Sequence, residues 1–356
     1  MNRYEFYELK SWLYLPVIFV GLLGNFASFL VYRTAPMRKS TVGTLLLILS
    51  LIDILLLILI TPIFVLVFLP LWEDQWQKYS FHMSFFAYST RYVYPLCMMT
   101  KSCSLYLMVL ITIERWIAVC RPLQVHLIGL RYLNKSFEFQ AKVLCTNRNT
   151  LKAGIFIIIF SIVFNAPRFF DYKIGDGYLS EMWMLDTEKH WWYFMFYFVI
   201  LSVIFDYALP FLIMTIANYH VIRALQESDE VITGLAVQKR KDQKTTVMLL
   251  VVTIFFAFCH LFSMFLKLAE SMFGGFLTQT SFYWEVFAEF TIFLIIFHTS
   301  STFFIYYGFS EKFRTIFHDI IRCRPRSDDV KCSTYLPVNS SGATSEVKTR
   351  KSPASV

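Results

Sequence analysis

The sequence predicts an all-α membrane protein: a seven-transmembrane helix bundle followed by a short amphipathic helix after the seventh span. Three observations carry this. Of 356 residues, 56% are hydrophobic and only 16% charged, too apolar a balance for a water-soluble protein of this size. Seven apolar runs reach the ~20 residues that a membrane-crossing helix needs. The links between the runs alternate between basic and acidic, the pattern that orients a multi-pass chain.

The spans are expected at 12–32, 42–69, 92–119, 151–170, 191–225, 245–273 and 282–307. Pro62 should kink the second and Pro210 the fifth, since proline cannot donate to the preceding turn. The link after the first span carries Arg33, Arg38 and Lys39 with no acid. The link after the third carries Arg121, Arg131, Lys135, Lys142, Arg148 and Lys152 against Glu138, and the link after the fifth carries Lys239, Arg240, Lys241 and Lys244. The alternate links hold Glu73 and Asp74, then Asp171, Asp176, Glu181, Asp186 and Glu188, then Glu285. By the positive-inside rule the basic links face the cytoplasm, so the N-terminus lies outside and the C-terminus inside.

This divides the chain into an extracellular N-terminus at 1–11, a seven-span domain at 12–308, a membrane-surface helix at 309–322 and a disordered cytoplasmic tail at 323–356. No cleavable signal peptide is expected, because Met1 to Lys10 holds four charges and the apolar run behind it is long enough to span. The surface helix is read from Phe309, Phe313, Ile316, Phe317, Ile320 and Ile321 at helical spacing, with charged residues between them. Cys323 is then a palmitoylation candidate, with an unmodified thiol as the equal alternative. The net charge of +8 belongs to the cytoplasmic links, so no nucleic-acid partner is expected. The seven Cys show no CxxC pair and no metal-ligand spacing, and no cofactor is expected.

The informative residues are the polar ones inside the spans, where charge is costly and must find partners. Glu114-Arg115-Trp116 closes the third span with an acid, a base and an aromatic before Cys120-Arg121-Pro122 leaves the membrane. Such a pair suits a switch that holds a helix end closed, although a snorkelling charge cluster would look the same. Asp53 sits mid-way along the second span, with Asn25 of the first as a natural neighbour. Lys101 and Asp206 can pair across one cavity or find separate partners. His260 and His298 are read first as neutral, hydrogen-bonded residues and second as protonation switches.

In order and spacing, Gly24-Asn25, Leu49-x-x-x-Asp53, Glu114-Arg115-Trp116 with Cys120-x-Pro122, Pro210 and Phe256-x-x-Cys259 resemble a rhodopsin-like (class A) G-protein-coupled receptor over residues 12 to 322. Within that family, Tyr94-Pro95-Leu96, Ser104-x-Tyr106-Leu107, Asn165-Ala166-Pro167-Arg168-Phe169-Phe170 and Ser300-Ser301-Thr302-Phe303-Phe304-Ile305-Tyr306 are most similar to invertebrate FMRFamide-type neuropeptide receptors. The chain departs from the family in three places. The cysteine expected near Thr90 and its partner between Phe169 and Trp192 are both missing, so the usual outer disulfide is not expected. His260 and Phe262 stand where relatives carry Trp and Pro, and Thr302-Phe303 stands for Asn-Pro.

The resemblance implies a non-enzymatic plasma-membrane receptor. A small amidated peptide would bind outside, and a heterotrimeric G protein and arrestin would bind inside. Arg115 would pivot from Glu114 toward Asn218 and Tyr306. Asp53 with Asn25 and Ser300 or Ser301 would form a polar relay able to hold Na⁺. Phe256, Cys259 and His260 mark the switch region of the sixth helix. A ligand ending in Arg-Phe-amide needs a carboxylate fork for its arginine, aromatic walls for its ring and hydrogen bonds for its amide. Candidates are Tyr92, Lys101, Asp171, Glu181, Asp206, Glu270, Trp284, Glu285 and Glu289, with Glu270 and Glu289 first for the arginine. Phe169 and Tyr283 add aromatic surface, and Arg91 and Arg168 lie near the same mouth.

Compared with that family, the second inner link is long. Deleting 125–140 would join Leu123-Gln124 to Ala141-Lys142 smoothly. That segment reads either as a retained short intron or as a true insertion forming a basic amphipathic patch. The alternative functions are a chemosensory receptor for a non-peptide ligand and a weakly coupling receptor-like protein. No acid–histidine spacing suggests a membrane enzyme, and no internal repeat suggests a transporter.

Overall fold

The computed structural model describes residues 3–65, 84–128, 146–174, 182–184, 192–231, 237–273 and 282–322. Among these, seven helices are long and apolar enough to cross a membrane: Glu5–Arg33, Thr41–Phe64, Ser84–Val119, Asn147–Phe170, Met195–Gln226, Lys244–Ala269 and Phe282–Phe309. The third is central, with 67% of its apolar window buried against 22% for the fourth. It packs on the second, fourth, fifth and sixth helices, and the first packs between the second and the seventh. Phe156, Val163, Phe196, Phe258 and Phe265 point outward at 55–68% exposure. Such a surface is stable only against lipid.

Several boundaries differ from the sequence-based ones. The first helix begins at Arg3, so it takes in the segment expected as an external terminus. Tyr7, Lys10 or Ser11, and Tyr14 recur at helical spacing and carry its buried face outward from the span. The third helix does not stop at Arg121-Pro122 but stays helical to Ile128. A proline removes one ladder hydrogen bond, and here the flanking ones continue the helix. Residues 129–145, most of the inserted segment, lie outside the described residues, as does Cys323. In the fifth helix, widened π-helical turns at Ile204–Ala208 come directly before Pro210, whose ring crowds the preceding turn. A short hairpin accompanies the helical bundle: Tyr172–Ile174 (β1) pairs antiparallel with Met182–Met184 (β2), with Lys173 opposite Trp183.

Helix ends follow local chemistry. The Ser40 hydroxyl accepts from the Gly43 N–H to start the second helix. The Ser310 hydroxyl accepts from the Phe313 N–H to start the surface helix Glu311–Ile321. That helix buries Phe313 and Ile316 against the bundle, where Phe313 meets Tyr32 and Tyr306. One core cluster, built on Leu45, Leu107, Ile111, Val252 and Phe256, includes these rings. A second lies toward the start of the first helix, around Tyr14, Leu57, Ile60 and Ile296.

Two glycines set the seam between the first and seventh helices. A Cβ at Gly21 would collide with Ser300 Oγ, and one at Gly24 would lie 2.9 Å from Phe303 Cβ. The bare backbone lets the helices approach.

Candidate functional site

Two polar groups lie toward the end of the bundle where the first helix begins. The Lys10 ammonium lies 2.6 Å from Glu289 Oε1, with both side chains largely buried. Tyr14 donates to the Glu289 backbone carbonyl at 2.7 Å, and its hydroxyl lies 3.3 Å from Oε2. Tyr7 donates to Glu285 at 3.4 Å. The Lys10 ammonium lies 4.4 Å from the centre of the Tyr7 ring. On the same two helices Phe6 packs edge-on against Phe282 at 5.5 Å, and Trp284 lies 5.5 Å from Phe287. The buried Trp284 indole N–H has no hydrogen-bond partner among the described residues.

Arg168 and Asp206 form the second group. Arg168, 2% exposed, places Nη2 3.4 Å from Asp206 Oδ2 and donates from Nε to Asn165 Oδ1 at 3.0 Å. Ser102 donates to Asp206 Oδ1 at 3.1 Å, and Asn165 donates to Ser102 at 3.0 Å. The third, fourth and fifth helices are tied together by this closed network. Beside it, Tyr193 donates to Asp171 Oδ1 at 2.6 Å. Burial pushes the Asp171 carboxyl above its ordinary value, against the pull of the Tyr193 hydrogen bond and of Arg168. Burial and the adjacent carboxylate push the Tyr193 hydroxyl up. Asp171 Oδ2 is buried and unpartnered among the described residues.

The expected Lys101–Asp206 pair does not form. Asp206 and Tyr207 are adjacent, so their side chains leave the helix in different directions. Asp206 turns to Arg168, and Lys101 meets Tyr207 instead, donating to its hydroxyl at 3.3 Å. The two histidines sit on the sixth and seventh helices. The His260 ring stacks on Phe256 at 4.1 Å, His298 packs edge-on to Phe256 at 5.0 Å, and the two imidazoles are 6.2 Å apart. Cys259 is buried beside them as a free thiol.

The polar relay is also rearranged. Asp53 accepts from Ser104 at 2.9 Å. Asn25 does not reach it, because the glycine seam holds the first helix against the seventh. There Asn25 donates to the Thr299 carbonyl at 2.9 Å and accepts from Thr302 at 3.3 Å. Ser300 faces Gly21, and Ser301 donates to its own helix at the Phe297 carbonyl. Neither serine meets Asp53 by a direct hydrogen bond.

At the opposite end, Arg115 Nη2 lies 3.8 Å from Glu114 Oε1. Asn218 accepts from Thr253 of the sixth helix at 3.3 Å, and Tyr306 is buried edge-on to Tyr32. Trp116 lies 6.1 Å from His220. Lys244 of the sixth helix pairs with Glu311 of the surface helix at 2.6 Å.

Of the expected pocket residues, Tyr92 is half exposed and stacks on Tyr88 at 6.3 Å. Glu181 lies outside the described residues, as does the side chain of Glu270. Sequence reasoning missed Lys10 as the partner of Glu289. The polar stripe through Tyr7, Lys10 and Tyr14 was the available signal.

These features, an acid–base pair ending a central third helix within a seven-span bundle and an acid-rich, aromatic mouth at the other end, agree with what sequence comparison finds. The FMRFamide peptide receptor frpr-18 of Caenorhabditis elegans is 36% identical over 317 residues, covering 87% of this chain and 68% of that protein. The FMRFamide receptor of Drosophila melanogaster is 24% identical over 333 residues, covering 89% of this chain and 54% of that protein. Galanin receptor 2b of Danio rerio matches over 131 residues at 27% identity, 37% of this chain and 34% of its own. The profile described as "7 transmembrane receptor (rhodopsin family)" matches residues 24–306. The chain belongs to the rhodopsin family of seven-transmembrane receptors.

Proposed function

We propose that the chain is a receptor for a small amidated neuropeptide carrying an arginine and an aromatic residue, signalling to a heterotrimeric G protein. The N-terminus faces outside and the C-terminus the cytoplasm, which the alternation of basic and acidic links supports. One observation carries the ligand class. Glu289 already seats a cation, Lys10, at 2.6 Å, with the Tyr14 hydroxyl on its carboxylate and the Tyr7 ring 4.4 Å from the ammonium. A carboxylate among aromatic faces is what an Arg-Phe segment requires. The names of two relatives point to the same class of ligand. Arginine binding at Glu289 displaces Lys10 and loosens the hold of the first helix on the seventh. Asp171 Oδ2 and the Trp284 indole N–H offer further contacts.

At the cytoplasmic end the Glu114–Arg115 pair is the resting contact, and Arg115 turns toward Asn218 and Tyr306 when the sixth helix moves. The test is a G-protein activation assay in cells with a panel of amidated peptides, on forms with and without residues 125–140. A response to Arg-Phe-amide peptides that is lost in Arg115→Ala supports the reading. Silence of both forms, with surface expression confirmed, overturns it.

A further inference from the structure

Tyr14 faces the carboxylate that seats the cation, and its position is fixed. The ring stacks on Phe293 at 5.8 Å and belongs to the second core cluster, which sets where the hydroxyl sits. A phenol has one proton to give. It goes to the Glu289 backbone carbonyl at 2.7 Å, the shorter of its two contacts. Toward Glu289 Oε2, 3.3 Å away, Tyr14 then turns a lone pair. Lys10 sits on the other oxygen, Oε1, at 2.6 Å. An ionised carboxylate offers about four acceptor sites. Among the described residues, only Lys10 and Tyr14 lie within hydrogen-bonding distance of this one. The Glu289 side chain is 15% exposed, so a ligand in the mouth can reach it. Oε2 and the Tyr14 oxygen are thus two acceptors side by side.

We infer that Tyr14 and Glu289 together select arginine over lysine in the ligand. The inference rests on the reading of the chain as a receptor for an arginine-bearing amidated peptide. An ammonium is a compact point charge, and Lys10 shows how one settles here, on Oε1. A guanidinium is a planar fork with five N–H donors. When it displaces Lys10, one nitrogen donates to Oε1. A terminal NH₂ then donates one hydrogen to Oε2 and the other to the Tyr14 oxygen. Arginine thereby fills acceptors that an ammonium on Oε1 leaves unfilled, and a site built to bond a ligand group discriminates against the analogue lacking it. Lys10 does not itself discriminate. It competes with a ligand's arginine and lysine alike, so it sets the concentration needed and not the preference.

The experiment compares a peptide ending in Arg-Phe-amide with the same peptide ending in Lys-Phe-amide. The parent chain, Tyr14→Phe, Glu289→Gln and Lys10→Met are assayed for G-protein activation at matched surface expression. The parent should prefer arginine by on the order of 10- to 100-fold. Tyr14→Phe keeps the ring and removes one acceptor, and should narrow the arginine-to-lysine ratio by about three- to tenfold. Glu289→Gln should narrow it too, since an amide oxygen replaces the two carboxylate oxygens. Lys10→Met should raise both potencies by a similar factor and leave the ratio in place. A Tyr14 that only packs would shift both peptides together. An unmoved ratio in Tyr14→Phe overturns the inference, and if that protein does not reach the surface, an unmoved ratio in Glu289→Gln does so. A parent that responds equally to both peptides or prefers lysine overturns it as well, as does a ratio that collapses in Lys10→Met. All of these leave the amidated-peptide reading standing. A parent silent to both peptides overturns the inference together with that reading.

Discussion

Arg168 at the end of the fourth helix and Asp206 in the fifth meet at 3.4 Å with both side chains buried. Their remaining hydrogen-bonding capacity is taken up in part by Asn165 and Ser102. Breaking one partner of a buried pair costs about 3–5 kcal/mol, because the other charge is stranded. Arg168→Met and Asp206→Leu should each lower the thermal unfolding midpoint of the purified receptor sharply. The double variant should recover much of the loss, since neither charge is then stranded. A double variant that loses the sum of the two would show that the pair is not coupled.

The Lys10–Glu289 contact leads to an opposite pair of effects on ligand potency. If Lys10 occupies the arginine seat, Lys10→Met should raise potency for arginine-bearing peptides by about tenfold, as removal of ~1.4 kcal/mol of competition would do. Glu289→Gln should lower it by a similar factor, and the double variant should behave like Glu289→Gln. Dose–response curves in the G-protein assay read all three.

The Glu114–Arg115 pair is long, at 3.8 Å, and Glu114 Oε2 is buried with no partner among the described residues. A contact this loosely satisfied should be easy to bias. Glu114→Gln weakens the attraction without changing shape, and basal G-protein turnover should rise several-fold. Arg115→Ala should abolish ligand-driven turnover while leaving peptide binding in place, which a displacement assay separates.

Asp171 gives the fold a pH dependence. Its carboxyl is raised by burial above the ordinary value of 3.8, so the folded state holds this proton more tightly than the unfolded chain does. The contribution is fully present below that ordinary value and is lost as pH rises through the raised one. Asp171→Asn has no proton to lose. Its unfolding midpoint should fall less than the parent's as pH rises above the ordinary value. An identical fall in both proteins would remove Asp171 as the cause.

At the glycine seam, Gly21→Ala puts a methyl group onto Ser300 Oγ and close to Leu57. Overpacking of this kind costs about 1–3 kcal/mol. Ser300→Gly in the same chain clears the hydroxyl and should restore part of the loss. Thermal unfolding of the three proteins measures the seam directly.

Composition and the alternation of charged links were enough to read the seven spans and their order. The Glu114–Arg115 contact was legible because the two residues are adjacent and close a span. The partners inside the bundle were not. Lys101 and Asp206 look complementary on cost alone, yet one residue of rotation sends Asp206 to Arg168 and brings Tyr207 to Lys101. Asn25 and Asp53 lie at similar depth by sequence position. The close approach at Gly21 and Gly24 turns Asn25 to Thr299 and Thr302 instead. Depth in the membrane follows from sequence position, whereas azimuth around a helix depends on packing that no single span encodes. Lys10 is hidden for another reason: the apolar run begins at Trp12, whereas the helix begins at Arg3.

The buried arginine at the end of the fourth helix also constrains the order in which the receptor is built. Its acidic partner lies on the next helix to be synthesised. Until the fifth helix enters the membrane, Arg168 has no counter-charge from it and is best held at the wet boundary. The fourth helix, whose apolar window is only 22% buried in the finished bundle, can wait there in lipid. Docking of the fifth helix then draws the guanidinium inward and locks three helices in one step.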